Sequence, residues 1–179
     1  MMIKPTHKLV LSALFLAAGI ILPFFTGQIP QIGNLLLPMH FVVFLCTYIC
    51  GWKYGTIIGF TLPLLRCFLF GMPFLYPDAI AMSFELCAYG FVAGIIYQAV
   101  KRRNVIAVYS SMIAAMLCGR AVWGVAKLLL LGIKSEVFTW EMFIAAAFIN
   151  AVPGILIQLI LIPAIVSIHN WKFQKAEQR

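Results

Sequence analysis

Residues 79–100 form an apolar run with a single charged side chain, Glu85, at its middle. At about 1.5 Å per residue, a helix of that length crosses the roughly 30 Å hydrocarbon core of a bilayer. Inside that core every backbone N–H and C=O must be satisfied within the protein, which for runs of this length means helices. Six such runs can be traced, at about 9–25, 35–51, 54–72, 79–100, 105–131 and 141–168. With 64% hydrophobic residues, 10% charged residues and a mean hydropathy of +1.03, the chain lies far from the balance of a soluble domain. The reading is an all-α integral membrane protein, with six transmembrane helices in one compact bundle and residues 1–179 as a single domain.

Turn chemistry separates the runs: "TGQIPQIGN" (26–34), "GWKYG" (51–55), "GMPFLYPD" (71–78), "KRRN" (101–104) and "GIKSEVFTWE" (132–141). The first and third of these, rich in Pro and Gly, have the composition of a lid over an outward-facing pocket. Basic residues set the orientation. Lys4, Lys8, Lys53, Lys101, Arg102, Arg103, Lys172, Lys175 and Arg179 fall on one side of the six-span scheme. The other side holds Lys134 with Asp78, Glu136 and Glu141. The positive-inside rule then makes both termini cytoplasmic, as an even number of spans requires. The net charge of +8 follows from this topology without a nucleic-acid partner. The opening "MMIKPTHK" with the apolar run after it also has the form of a signal peptide, but its removal would leave an odd number of spans in conflict with the charge bias.

Several chemistries are excluded by what the chain lacks. It has no phosphate-binding loop, no HExxH pair and no GxSxG elbow, so neither ATP hydrolysis nor a standard hydrolase site is encoded. Cys46, Cys50, Cys67, Cys87 and Cys118 all lie inside spans, without the spacing of a zinc site, and read as packing residues. No catalytic residue, metal ligand or cofactor is assigned.

The informative residues are the polar ones within the spans, because a charge at the centre of a spanning helix costs about 2.5–3.5 kcal/mol on insertion scales. Arg66 and Glu85 each sit about 9 Å below the outer end of their spans, level on consecutive helices, so an ion pair between them is one reading. Arg120 lies about 16 Å deep with no further acidic residue in any span to meet it. Arg120, Trp123 and Lys127 share a helix face at i, i+3 and i+7. Asn150 comes to about 14 Å and His40 to about 8 Å. Together these residues resemble a ligand cavity open to the outside, with an excess of positive charge suited to an anion. Plainer roles stand beside that one: Lys127 as an interfacial anchor, His40 as a hydrogen-bonded packing residue, Asn150 as the cap of a kink before Pro153.

Small residues recur at four-residue spacing: Ala13 and Ala17 on the first span, Gly51, Gly55 and Gly59 into the third, Gly90 and Gly94 on the fourth. Such faces let helices approach closely in lipid.

Six spans in a chain of this length, the AxxxA pair, the Pro/Gly-containing outer loop and the polar outer half resemble the substrate-binding S component of an energy-coupling factor (ECF) vitamin transporter. The stretch "PQIGNLLLPMHFVVFLCTYICGWKYGTIIGFTLPLLR" is the most suggestive part. The resemblance implies that Ala13 and Ala17 dock on a transmembrane coupling subunit driven by two cytoplasmic ATPases. It also implies that outer loops and outer helix halves hold the vitamin, with Glu85, Arg120, Trp123 and Asn150 as contacts and Arg66, His40 and Lys127 beside them. The pocket matches no one vitamin subfamily. On this reading the chain is not an enzyme; it captures a small water-soluble vitamin, with pantothenate and nicotinate as candidate anions, and sits in a prokaryotic plasma membrane. The alternative is an ion-coupled secondary transporter with Glu85 as the proton carrier.

Overall fold

The computed structural model describes residues 5–27, 36–100, 104–133 and 139–177, and all regular structure among them is helical. In chain order the elements are α1 (Pro5–Gly27), α2 (Pro38–Cys50), α3 (Trp52–Phe70), α4 (Ile80–Ala99), α5 (Val105–Ile133), α6 (Trp140–Ile144) and α7 (Val152–Glu177). The loop around 28–35, Lys101, Arg102 and Arg103, and Lys134 and Glu136 lie outside the described residues, and so does most of the first expected lid.

Among the described residues, five segments are long and apolar enough to cross a membrane: Pro5–Phe25, Trp52–Phe70, Leu75–Ala99, Val105–Ile133 and Val152–His169. The segment expected at 35–51 is shorter than a span. Its helix begins at Pro38, where the missing N–H costs nothing, and ends at Cys50 after 13 residues, or about 20 Å. Gly51 then reverses the chain in one residue at φ 108°, a conformation that strains any L side chain. The segment expected at 141–168 is two pieces. α6 runs into a wide turn, Ala145–Ile149, and α7 restarts at Val152. The cause is Pro153, which cannot donate to the carbonyl four residues back, at Ile149, and whose ring crowds that carbonyl. A second wide turn, Leu75–Ala79, closes with the Ala79 N–H on the Phe74 carbonyl at 2.8 Å and leads straight into α4. The membrane-length segment here therefore begins four residues earlier than the apolar run suggests.

Burial is concentrated on α2 and the inner faces of α4 and α5. Val43, Phe44, Cys46, Leu86, Met112 and Ala115 are fully enclosed. Cys46 and Cys50 are buried free thiols in this core, in keeping with a packing role. α1 lies at the periphery, with Leu9, Val10, Leu14 and Ile21 more than half exposed.

The most extensive helix interfaces are those of α4 with α3 and with α5. Glycines make the first of them possible. A Cβ at Gly90 would stand 2.5 Å from the Gly55 carbonyl carbon, one at Gly59 would stand 2.3 Å from the Leu86 carbonyl oxygen, and one at Gly94 would meet Trp52 Cβ at 2.3 Å. The two glycine series of the sequence are thus the two sides of one backbone-to-backbone seam. Replacing Gly90 with Ala must push α3 and α4 apart, and a clear fall in the thermal unfolding midpoint of the detergent-solubilised protein is expected. Gly132→Ala, where among the described residues no non-neighbouring atom lies within 4 Å of the added methyl, should leave the midpoint unchanged or slightly raised.

Candidate functional site

Four of the polar residues converge where α2, α4 and α5 meet. Glu85 of α4 is 1% exposed, His40 of α2 1% and Arg120 of α5 6%. Arg120 Nη1 lies 2.8 Å from Glu85 Oε1 in a buried ion pair. The Tyr89 hydroxyl, one turn further along α4, donates to the same oxygen at 3.1 Å. His40 Nε2 stands 3.3 Å from it, outside hydrogen-bonding direction, and the imidazole packs edge-on against the Tyr89 ring with centroids 5.3 Å apart.

This arrangement corrects two expectations. Arg120 does have an acidic partner, and that partner is Glu85; Arg66 does not pair with Glu85. Depth explains both. α3 ends at Phe70 and Arg66 lies about 6 Å inside that end, whereas the α4 segment starts at Leu75 and carries Glu85 about 15 Å in. Gly59 and Phe60, not Arg66, are level with Glu85: Gly59 meets the Leu86 backbone and Phe60 meets the Phe84 ring at 5.8 Å. Arg66 instead donates to the Ile20 carbonyl at 2.8 Å and lies 5.0 Å from the centre of the Phe24 ring, tying α3 to α1.

Approach between α4 and α5 depends on Gly119. A Cβ there would come within 1.9 Å of the Tyr89 ring and 3.2 Å of the Glu85 carbonyl oxygen. The residue before Arg120 thus leaves room for the side chain that shares Glu85 with it.

A second ion pair lies along the same two helices, towards the start of α4 and the end of α5. Lys127 of α5 donates to Asp78, in the turn before α4. Asp78 and Glu85 are seven residues apart, as are Arg120 and Lys127, so two antiparallel helices bring acid to base twice along one seam. A seven-residue spacing shared by acids and bases on neighbouring helices is the sequence signal for these pairs, and it is missed because Asp78 reads as loop. Tyr76 in that turn also donates to the Leu130 carbonyl. Lys127 is 13% exposed at its side chain and stands 5.7 Å from the centre of the Trp123 ring. It is held by a carboxylate and an indole.

The expected positive excess is accordingly smaller than the sequence suggested, since Arg120 and Lys127 each face a carboxylate. Trp123 turns about 60° from the Arg120–Lys127 line and stacks on Phe143 at 6.2 Å, towards α6. Asn150 is exposed in the break between α6 and α7, with its N–H on the Ala145 carbonyl at 2.9 Å. The break it was expected to mark is there, but Asn150 is not among the converging residues. Two apolar grooves of about 490 Å³ each run along other faces of α5, one between Gly124, Val125, Trp140 and Phe143, the other between Phe84, Cys118, Val122 and Leu129.

One feature of the buried cluster is chemically open. Arg120 Nε and Nη2 and both ring nitrogens of His40 are enclosed and have no hydrogen-bond partner among the described residues. Nε–H and Nη2–H are the two parallel donors of one guanidinium edge, the geometry that grips a carboxylate with two bonds.

A family model described as "ECF transporter, substrate-specific component" matches residues 7–167. No curated protein and no solved structure matches the chain.

Removing one member of a buried ion pair costs about 3–5 kcal/mol because the other charge is left uncompensated. Glu85→Gln should therefore lower stability strongly, and adding Arg120→Met should recover most of the loss. In the parallel cycle, Glu85→Gln and Arg66→Met should be additive within about 0.5 kcal/mol. Unfolding of the purified variants in a denaturing detergent series measures both couplings.

Proposed function

Because the chain belongs to the substrate-specific components of ECF transporters, we propose that it binds a small water-soluble vitamin or related micronutrient carrying a carboxylate and delivers it for ATP-driven import. Membership makes it a multi-pass membrane subunit for substrate-specific uptake, working with an ECF module of membrane coupling subunit and ATPases. The proposal extends this to residues 1–179 acting as one unit of six membrane passages, α2 and α7 included, with both termini in the cytoplasm of a prokaryotic cell.

The observation that carries the substrate class is the unpartnered Nε–Nη2 edge of Arg120. A carboxylate on that edge would leave Arg120 bridging two anions, the ligand on one side and Glu85 on the other, with His40 beside them. Pantothenate and nicotinate both offer such a group. Glu85, Arg120 and His40 form the centre of the proposed site. The other polar residues act around this centre rather than on the carboxylate: Lys127 holds the turn before α4 through Asp78, Trp123 stacks on Phe143 towards α6, Arg66 ties α3 to α1, and Asn150 lies in the break between α6 and α7.

The proposed docking face is supported by exposure. Ala13 and Ala17 are exposed on α1 in the middle of its apolar outer surface, whereas the glycines of α3 and α4 are consumed inside the bundle. Small residues on a lipid-facing helix allow another membrane helix to lie close. The ion-coupled alternative makes Glu85 a proton carrier, a role at odds with its enclosure beneath Arg120 and Tyr89.

Mass spectrometry of small molecules retained through purification should recover a carboxylate-bearing micronutrient. Its affinity should fall at least tenfold in Arg120→Met, in line with about 1.5–3 kcal/mol for a charge-assisted hydrogen bond. Retention of full affinity by a folded Arg120→Met protein would remove the carboxylate edge from the site. Ala13→Trp and Ala17→Trp should retain binding and lose uptake by cells that contain the coupling module. Loss of binding in the same variants would make the AxxxA pair an internal seam. In vesicles containing this chain alone, bound solute without uphill accumulation is expected; accumulation abolished by an uncoupler would establish the ion-coupled reading.

A further inference from the structure

The end of the bundle opposite Arg66 and Asp78 carries a small concave site of about 140 Å³ that the uptake reading does not use. Lys8 near the start of α1, Gly51, Trp52, Lys53 and Tyr54 at the turn from α2 into α3, and Gln98 near the end of α4 line it. Three chain segments far apart in sequence thus meet in one concavity. Lys53 lies over Trp52, with Nζ 5.8 Å from the ring centre. Neither Lys8 nor Lys53 has a carboxylate within ion-pair distance among the described residues. The amino end of α3 opens into the same place with no side-chain cap, adding its partial positive charge. Trp and Tyr at this level are the residues that settle at the headgroup layer of a bilayer.

We propose that this pocket binds the phosphate headgroup of an anionic phospholipid. Basic pockets between helix ends at the membrane surface attract such headgroups, whose charge is already held at that depth by the bilayer. Lys8 and Lys53 supply the two cations from different helices. The Gln98 amide supplies a neutral donor, and Trp52 and Tyr54 offer a flat wall for the glycerol backbone. The volume suits a phosphate group and excludes a whole vitamin. A lipid seated there bridges α1 to α3 and α4 at the end where Thr6, His7, Leu9 and Val10 of α1 are exposed.

The test titrates phosphatidylglycerol, and separately phosphatidylcholine, onto the full-length protein in detergent and counts retained lipid by native mass spectrometry. Each cation near an anionic surface contributes roughly fivefold, so Lys8→Gln with Lys53→Gln should lower phosphatidylglycerol retention at least tenfold. Lys8→Arg with Lys53→Arg should keep it, which separates a charge effect from misfolding. Lys172→Gln with Lys175→Gln, an equal change in net charge elsewhere, should alter it less than twofold. Equal retention of both lipids, or an equal fall in the two glutamine pairs, would overturn the proposal. So would displacement of phosphatidylglycerol by millimolar inorganic phosphate, which would make the pocket a free-anion site. Unchanged lipid retention in Lys8→Gln/Lys53→Gln alongside lost assembly with the coupling module would likewise overturn it, assigning the lysines to an acidic protein segment.

Discussion

The buried ion pair between Glu85 and Arg120 is the interaction on which the arrangement of the bundle turns. Two charges removed from water gain stability only where geometry and further hydrogen bonds compensate their lost hydration, and one left alone is strongly destabilising. Tyr89 supplies one such bond to the shared carboxylate oxygen, and Gly119 leaves the space in which Tyr89 can do so. The pair therefore sets the relative height of α4 and α5, and Lys127 with Asp78 repeats the match one heptad away. Glycine on the other face of α4 brings α3 to backbone contact. α4 is thus held by charge on one side and by close packing on the other.

The same geometry leaves Arg120 half used. One nitrogen is committed to Glu85, while the opposite edge of the guanidinium keeps two enclosed donors with no partner among the described residues. In a low-dielectric interior, donors of this kind are costly unless an acceptor meets them. Under the proposed function a solute carboxylate would relieve that tension, within the substrate-specific uptake to which the family belongs. The exposed small-residue face of α1 lies on a helix tied to the rest through contacts such as Arg66 with Ile20, which suits an element that meets other membrane subunits.

Much of this architecture is legible in the sequence. The membrane class follows from hydropathy alone, and the four-residue glycine spacing on α3 and α4 marks faces for close helix approach, though not that the two face each other. The resemblance to ECF substrate-binding components rested on span number, the AxxxA pair and polar residues in the outer half, and the family match over residues 7–167 agrees with it. Glu85, Arg120 and His40 were each singled out because a polar group in hydrocarbon needs a reason. The pairing was not legible, because depth counted from apolar run boundaries carries an error of several ångströms. The turn at Leu75–Ala79 shifted Glu85 inward, from the level of Arg66 to that of Arg120. Asn150 failed for a related cause: Pro153 breaks its helix, so a depth measured along a continuous span has no meaning there.

What the sequence by itself determined is the solvent this chain folds in, the segments that must be helical there and the few side chains whose burial requires a partner. Those are consequences of composition and local chemistry, since transfer into lipid acts on each segment almost independently of the others. Which partner each side chain found was decided by tertiary structure alone. It depends on the height and rotation of one helix against another, and these are set by contacts such as Gly59 on Leu86, Gly90 on Gly55 and Gly119 on Tyr89. Each joins residues distant along the chain, and a shift of one turn, about 5.4 Å, would exchange every partner in the site.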